Sequence, residues 1–168
     1  MLHLVNNVRL LLLAGWIGAA IFFSAVVAPS AFAILRRFEL ANAGEIAGSI
    51  VSRTLSVINI SGFVVCLLAL VLGVLIRRSY TRSDNLAQVV FLAIAALSTG
   101  AGEWLIAARM RTLRAGFGVP IDQVAIGDPA RVAFQSLHGY SVAALSVAII
   151  AALISFFLMT RRARSSGN

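Results

Sequence analysis

Lysine is absent from this chain, and charge of either sign is scarce. Charged residues make up 12% of the 168 and hydrophobic residues 60%, whereas soluble domains carry roughly 25% charged residues. With mean hydropathy at +0.96, a water-soluble fold is excluded. The single cysteine, Cys66, lies inside an apolar run, which rules out a disulfide framework and a CxxC metal site. With His3 and His138 far apart, any one place has at most one histidine and a distant cysteine, which fall short of a zinc or copper ligand set. The sequence contains no GxSxG, HExxH, phosphate-binding loop or dinucleotide fingerprint. Neither an enzyme nor a cofactor is expected.

What the chain does have is arginine at the ends of long apolar runs. A net charge of +8 would suit nucleic acid if it covered one polar surface. Here the arginines flank hydrophobic stretches, where they face phospholipid headgroups, so the expected partner is the lipid bilayer and not nucleic acid. Four runs meet the rule of about 20 apolar residues per crossing: 10–34, 55–76, 86–108 and 140–159. These predict an all-α integral membrane protein, an antiparallel bundle of four transmembrane helices forming one domain over residues 1–168. The second helix is expected to begin early, near residue 44, and the fourth near 129, where Asp128 and Pro129 suit an N-cap and first turn. The third is expected to continue to Gly116 as a C-cap glycine. Ala31-Phe32-Ala33 resembles a signal-peptidase site, but the apolar stretch before it exceeds the usual 7 to 15 residues of a secretory segment, so a retained helix is expected.

Arginine counts on the two sides are equal until Arg53 and Arg131, which belong to helices, are set aside. The short loop RRSYTRSD then favours both termini on the cytoplasmic side. Small residues at four-residue spacing, Ala14 with Gly18, Gly15 with Ala19 and Ala69 with Gly73, are expected to pack helices together within the bundle. Pro29 is expected to kink or end the first helix.

Because the helices alternate in direction, most intramembrane polar residues gather at one end of the bundle. Pro29 and Ser30 come from the first helix, Arg53, Ser56, Asn59 and Ser61 from the second, Thr99 and Glu103 from the third, and Arg131, His138 and Ser141 from the fourth. The other end reads as nearly pure aliphatic side chain. On the fourth helix, 100° per residue places Arg131, Phe134, Gln135, His138 and Ser141 in one stripe. Glu103 is the one acid inside the four runs, and Arg53, Arg131 and His138 are its available partners. The candidate pocket is therefore Arg53, Asn59, Glu103, Arg131, His138 and Ser141, near the non-cytoplasmic end. It would handle a proton, a cation or a small solute; alternatively, the cluster only fixes helix packing in a scaffold or accessory subunit. A haem is not expected, since His3 and His138 fall at opposite membrane faces, on the order of 30 Å apart.

The motif R-V-A-F-Q-S-L-H-G-Y-S in the fourth helix occurs with W-I-G-A-A-I-F-F-S-A-V-V-A-P-S-A-F in the first and M-R-T-L-R after the third. Together they resemble a bacterial domain-of-unknown-function family related to eukaryotic transmembrane protein 205. Trp16, Pro29, Phe32, Arg131, Phe134, His138, Gly139 and Ser141 carry the likeness. The resemblance implies a four-span protein of the bacterial inner membrane without an established biochemical activity.

Overall fold

A computed structural model describes residues 2–76 and 82–165. The loop segment 77–81, on which the orientation argument leans, and the tail from 166 lie outside the described residues. The first run comprises α1 (Leu2–Phe22), a π-helical segment (Phe23–Val27) and α2 (Ala28–Arg37). The second is α3 (Ala43–Leu75). The third joins α4 (Arg82–Gly100), a second π-helical segment (Ala101–Ala107) and α5 (Ala108–Gly116). After a 3-10 turn at Ile121–Gln123, α6 (Pro129–Ser165) completes the chain, and no strand occurs among the described residues.

Four continuous helical stretches are long and apolar enough to cross a membrane: His3–Arg37, Ala43–Leu75, Asn85–Gly116 and Pro129–Arg161. The fold is an all-α antiparallel four-helix bundle. A stretch of 33 residues spans about 50 Å at 1.5 Å per residue, against a hydrocarbon core of about 30 Å. Each helix therefore tilts or extends beyond the lipid, and this overhang holds the site described below.

The bundle interior is built from Leu13, Trp16, Ala20 and Phe23 on the first run, with Ile58, Cys66 and Ala69 on α3. Leu92, Ala95 and Ala96 on α4 and Leu145, Ala148 and Ala152 on α6 complete it. Small side chains at these positions let the backbones approach closely, the main source of cohesion where lipid removes the hydrophobic drive between helices. Leu11, Phe22, Val71, Leu97 and Leu105 are exposed. An outward apolar surface of that extent is stable only against hydrocarbon.

Helix packing corrects one expectation about small residues. Ala69 and Gly73 are buried as expected, but Ala14, Gly15, Gly18 and Ala19 are exposed. Nothing lies within 4 Å of where a side chain would begin at Gly15 or Gly18. That face of α1 looks out of the bundle. Gly62 is the reverse case: a Cβ there would stand 2.5 Å from the indole of Trp16. The indole in turn donates from Nε1 to the Ile58 carbonyl at 2.9 Å, so the ring is fixed and cannot yield. Gly62→Ala is expected to cost about 1–3 kcal/mol by overpacking. Gly15→Ala should be neutral, or stabilising by roughly 0.5–1 kcal/mol through helix propensity. Detergent-unfolding midpoints of the two variants check this contrast.

Two further differences concern backbone. Pro29 does not end the run, because the chain stays helical from Leu2 to Arg37. The π-helical turn lies just before the proline, where the missing N–H would otherwise break the ladder. Gly116 is the last residue of α5, with φ unremarkable, and in the loop that follows the left-handed residue is Gly118 at φ 66°.

Candidate functional site

The beginnings of α3 and α6 set the geometry of one end of the bundle. Asn42 precedes α3 but makes no capping bond with its side chain. Asp122, in the 3-10 turn, takes that role: its Oδ2 accepts the Glu45 backbone N–H at 3.0 Å. The Glu45 carboxylate replies by accepting the Ile121 N–H at 3.3 Å. Asp122 comes so close that a Cβ at Gly44 would collide with its carboxylate, which explains the glycine there. Arg114 of α5 closes the arrangement, donating from Nε to Glu45 Oε1 at 2.6 Å and from a terminal nitrogen to the Glu45 carbonyl at 2.6 Å. The least regular loop of the chain is thus tied to two helices. α6 is capped locally, with Asp128 Oδ1 accepting the N–H groups of Ala130 (2.8 Å) and Arg131 (3.2 Å).

These elements enclose a partly open cavity of about 630 Å³. α6 contributes Arg131, Phe134, Gln135, His138 and Ser141, the stripe that helical spacing places on one face. From α2 come Phe32 and Arg36, from α3 Val51, Ser52 and Leu55, and from α5 Met110, Arg111 and Arg114, with Asp122 from the turn. Four arginines and a histidine therefore face one carboxylate. Arg111 and Arg114 are each paired, with Glu103 at 3.0 Å and Glu45 at 2.6 Å. Arg36 and Arg131 have no carboxylate partner among the described residues. Arg131 donates one terminal N–H to the Val124 carbonyl, while its buried Nε has no partner.

The six sequence candidates separate into groups. Arg131, His138 and Ser141 line the cavity. Arg53 is exposed and does not line it. Asn59 is buried among the helices, its amide nitrogen 3.1 Å from where a Cβ would stand at Gly102. Glu103 is buried beside it, and its ion pair is with Arg111, not with Arg53, Arg131 or His138. Along a regular α-helix, eight residues leave these two side chains about 80° apart. Glu103 lies in the second π-helical segment, whose i→i+5 bonding puts more residues into each turn and takes up that offset. Arg111 reaches both the carboxylate and the cavity. The second oxygen of Glu103, Oε2, is buried without a partner.

The opposite end is not purely aliphatic. Arg9, read from sequence as a membrane flank, is 2% exposed. Its Nε donates to the Ala69 carbonyl at 3.0 Å, and a terminal N–H donates to Gln88 Oε1 at 3.2 Å. Gly73 makes room for the guanidinium, since a Cβ there would lie 2.9 Å from it. No group of three or more His, Cys, Asp or Glu residues suited to a metal ion occurs among the described residues.

The family model described as Domain of unknown function (DUF4149) matches residues 11–116, which takes in the first three spans and stops before α6. No curated protein and no solved structure matches the chain.

Proposed function

We propose that this chain, which belongs to the DUF4149 family of a domain of unknown function, is a membrane protein that binds a small oxyanion at one end of its bundle. The observation that carries the reading is the cavity wall, where Arg36 and Arg131 stand without carboxylate partners. Guanidinium groups present planar, permanently charged forks of donors that fit carboxylate and phosphate oxygens. A bare cation meets four arginines there and only the Asp122 carboxylate, which is already accepting from α3. Of the solutes the sequence allows, an anion is favoured over a cation. The role is one of binding or moving a solute, with no catalytic step. With both termini cytoplasmic, the cavity opens on the outer side of the inner membrane. The kinship with transmembrane protein 205 goes with this reading and rests on the first-helix and M-R-T-L-R motifs together with the α6 motif, the last of which lies beyond the family match.

A scaffold role has support of its own in the Glu45–Arg114 pair, which ties α3 to α5 and, through the Ile121 N–H, to the loop, and in the Glu103–Arg111 pair, which braces the third run across its π-helical segment. Thermal unfolding in detergent separates the two. At constant ionic strength, inorganic phosphate or sulfate should raise Tm, by an amount equivalent to about 2.7 kcal/mol at one hundred times Kd, whereas calcium and sodium should not. An unfolding temperature indifferent to oxyanions leaves the scaffold reading; one raised by cations overturns the anion site.

A further inference from the structure

The cavity combines two chemistries in a volume no free ion would fill. Its 630 Å³ corresponds to about twenty waters at roughly 30 Å³ each, and lies within the range of about 300–1,000 Å³ found for organic ligands. An inorganic anion held by Arg36 and Arg131 would leave most of that space beside Phe32, Val51, Leu55 and Phe134, side chains that gain nothing from being wet. The apolar wall also extends outward: Leu40 lines the cavity and is 46% exposed, and Ile34 and Phe38 nearby in the chain are exposed as well. Arg36 stands among these residues at the last turn of α2, where a helix leaving the hydrocarbon meets headgroups.

We infer that the cavity takes an amphiphile with an oxyanion head, a phosphate- or carboxylate-headed lipid. Its head sits between Arg36 and Arg131 and its chain lies along Phe32, Leu55 and Phe134. The inference rests on the anion-site reading and narrows its ligand class. The head needs a fixed, unneutralised positive charge, which the two unpaired guanidinium groups supply. The chain needs an apolar path toward the bilayer, which the α2 end offers. The same oxyanion chemistry could come from a free solute, and the apolar wall is what distinguishes them.

The test titrates dioleoyl phosphatidate, dioleoyl phosphatidylcholine and inorganic phosphate into the full-length protein in detergent, with binding read from thermal stabilisation. Phosphatidate should bind about tenfold or more tighter than either of the others. Arg36→Gln, which removes a side chain with no intramolecular partner, should weaken phosphatidate about tenfold or more, the loss of a charge-assisted contact. Phe134→Ser should weaken phosphatidate several-fold and leave inorganic phosphate unchanged. Phosphate binding as tightly as phosphatidate, with Phe134→Ser silent, would overturn the lipid and keep the anion site. Phosphatidylcholine matching phosphatidate, with Arg36→Gln silent, would mean general lipid contact and also overturn it. Binding of neither phosphatidate nor phosphate would end both readings.

Discussion

Arg9→Leu is expected to lower the stability of the bundle by about 3 kcal/mol, the largest effect of any single replacement away from the cavity. The guanidinium joins three helices: it sits on α1, donates to the Ala69 carbonyl of α3 and donates to Gln88 of α4. Hydrogen bonds from a charged donor are worth about 1.5–3 kcal/mol each, and those to Ala69 and Gln88 are lost with the guanidinium. Part of that loss is offset, because leucine no longer requires a cation to be held away from water. Gln88 is then left with its carbonyl oxygen unsatisfied, in addition to an Nε2 that already has no partner, and buried polar groups without partners are costly. Leucine also lacks the reach to fill the space that Gly73 leaves open. Unfolding by increasing mole fraction of dodecyl sulfate, followed by far-UV circular dichroism, gives the difference. A variant as stable as the wild type would show that the Arg9 contacts carry no net stability.

Arg9 also shows where reading the sequence falls short. An arginine immediately before an apolar run looks like a membrane flank, and nothing local distinguishes a flank from a buried tie. The difference lies in Gly73 and Gln88, which are remote in sequence and meet Arg9 only when three helices assemble. The four spans and the cap at Asp128 were legible because they follow from apolar length and local hydrogen bonding. So was the α6 stripe, since a helix start fixes which residues share a face. The partner of Glu103 was not, because the π-helical segment shifts the angular register by an amount that a constant 100° step cannot supply. Arg36 was visible only as positive charge at a membrane edge, and Arg111 and Arg114 only as that and as part of the M-R-T-L-R motif. Their place around a cavity depends on how far the helices overhang the lipid. Asp122 capping α3 from the loop is a tertiary contact between residues 77 positions apart, and only the spacing of the helices brings it about. The outward small face of α1 is a similar case: four-residue spacing identifies a helix face, and packing decides which way it turns.

Arg131→Gln is expected to weaken oxyanion binding by roughly ten- to a hundredfold, the range given by losing a hydrogen-bonded positive charge worth about 1.5–3 kcal/mol. The residue faces the cavity from the first turn of α6, and its buried Nε has no protein acceptor, so that donor is available to a ligand. Its bond to the Val124 carbonyl means the replacement also loosens the loop. Arg36 makes no such contact with the protein. Arg36→Gln therefore separates ligand affinity from stability: its unliganded unfolding temperature should equal that of the wild type.

The most direct measurement of an anion site is the phosphate dissociation constant of the wild type, Arg36→Gln and Arg131→Gln at one ionic strength. The anion site predicts saturable binding to the wild type and a loss of about tenfold or more in each variant, with Arg36→Gln as stable as the wild type without phosphate. Equal constants for all three proteins would contradict it.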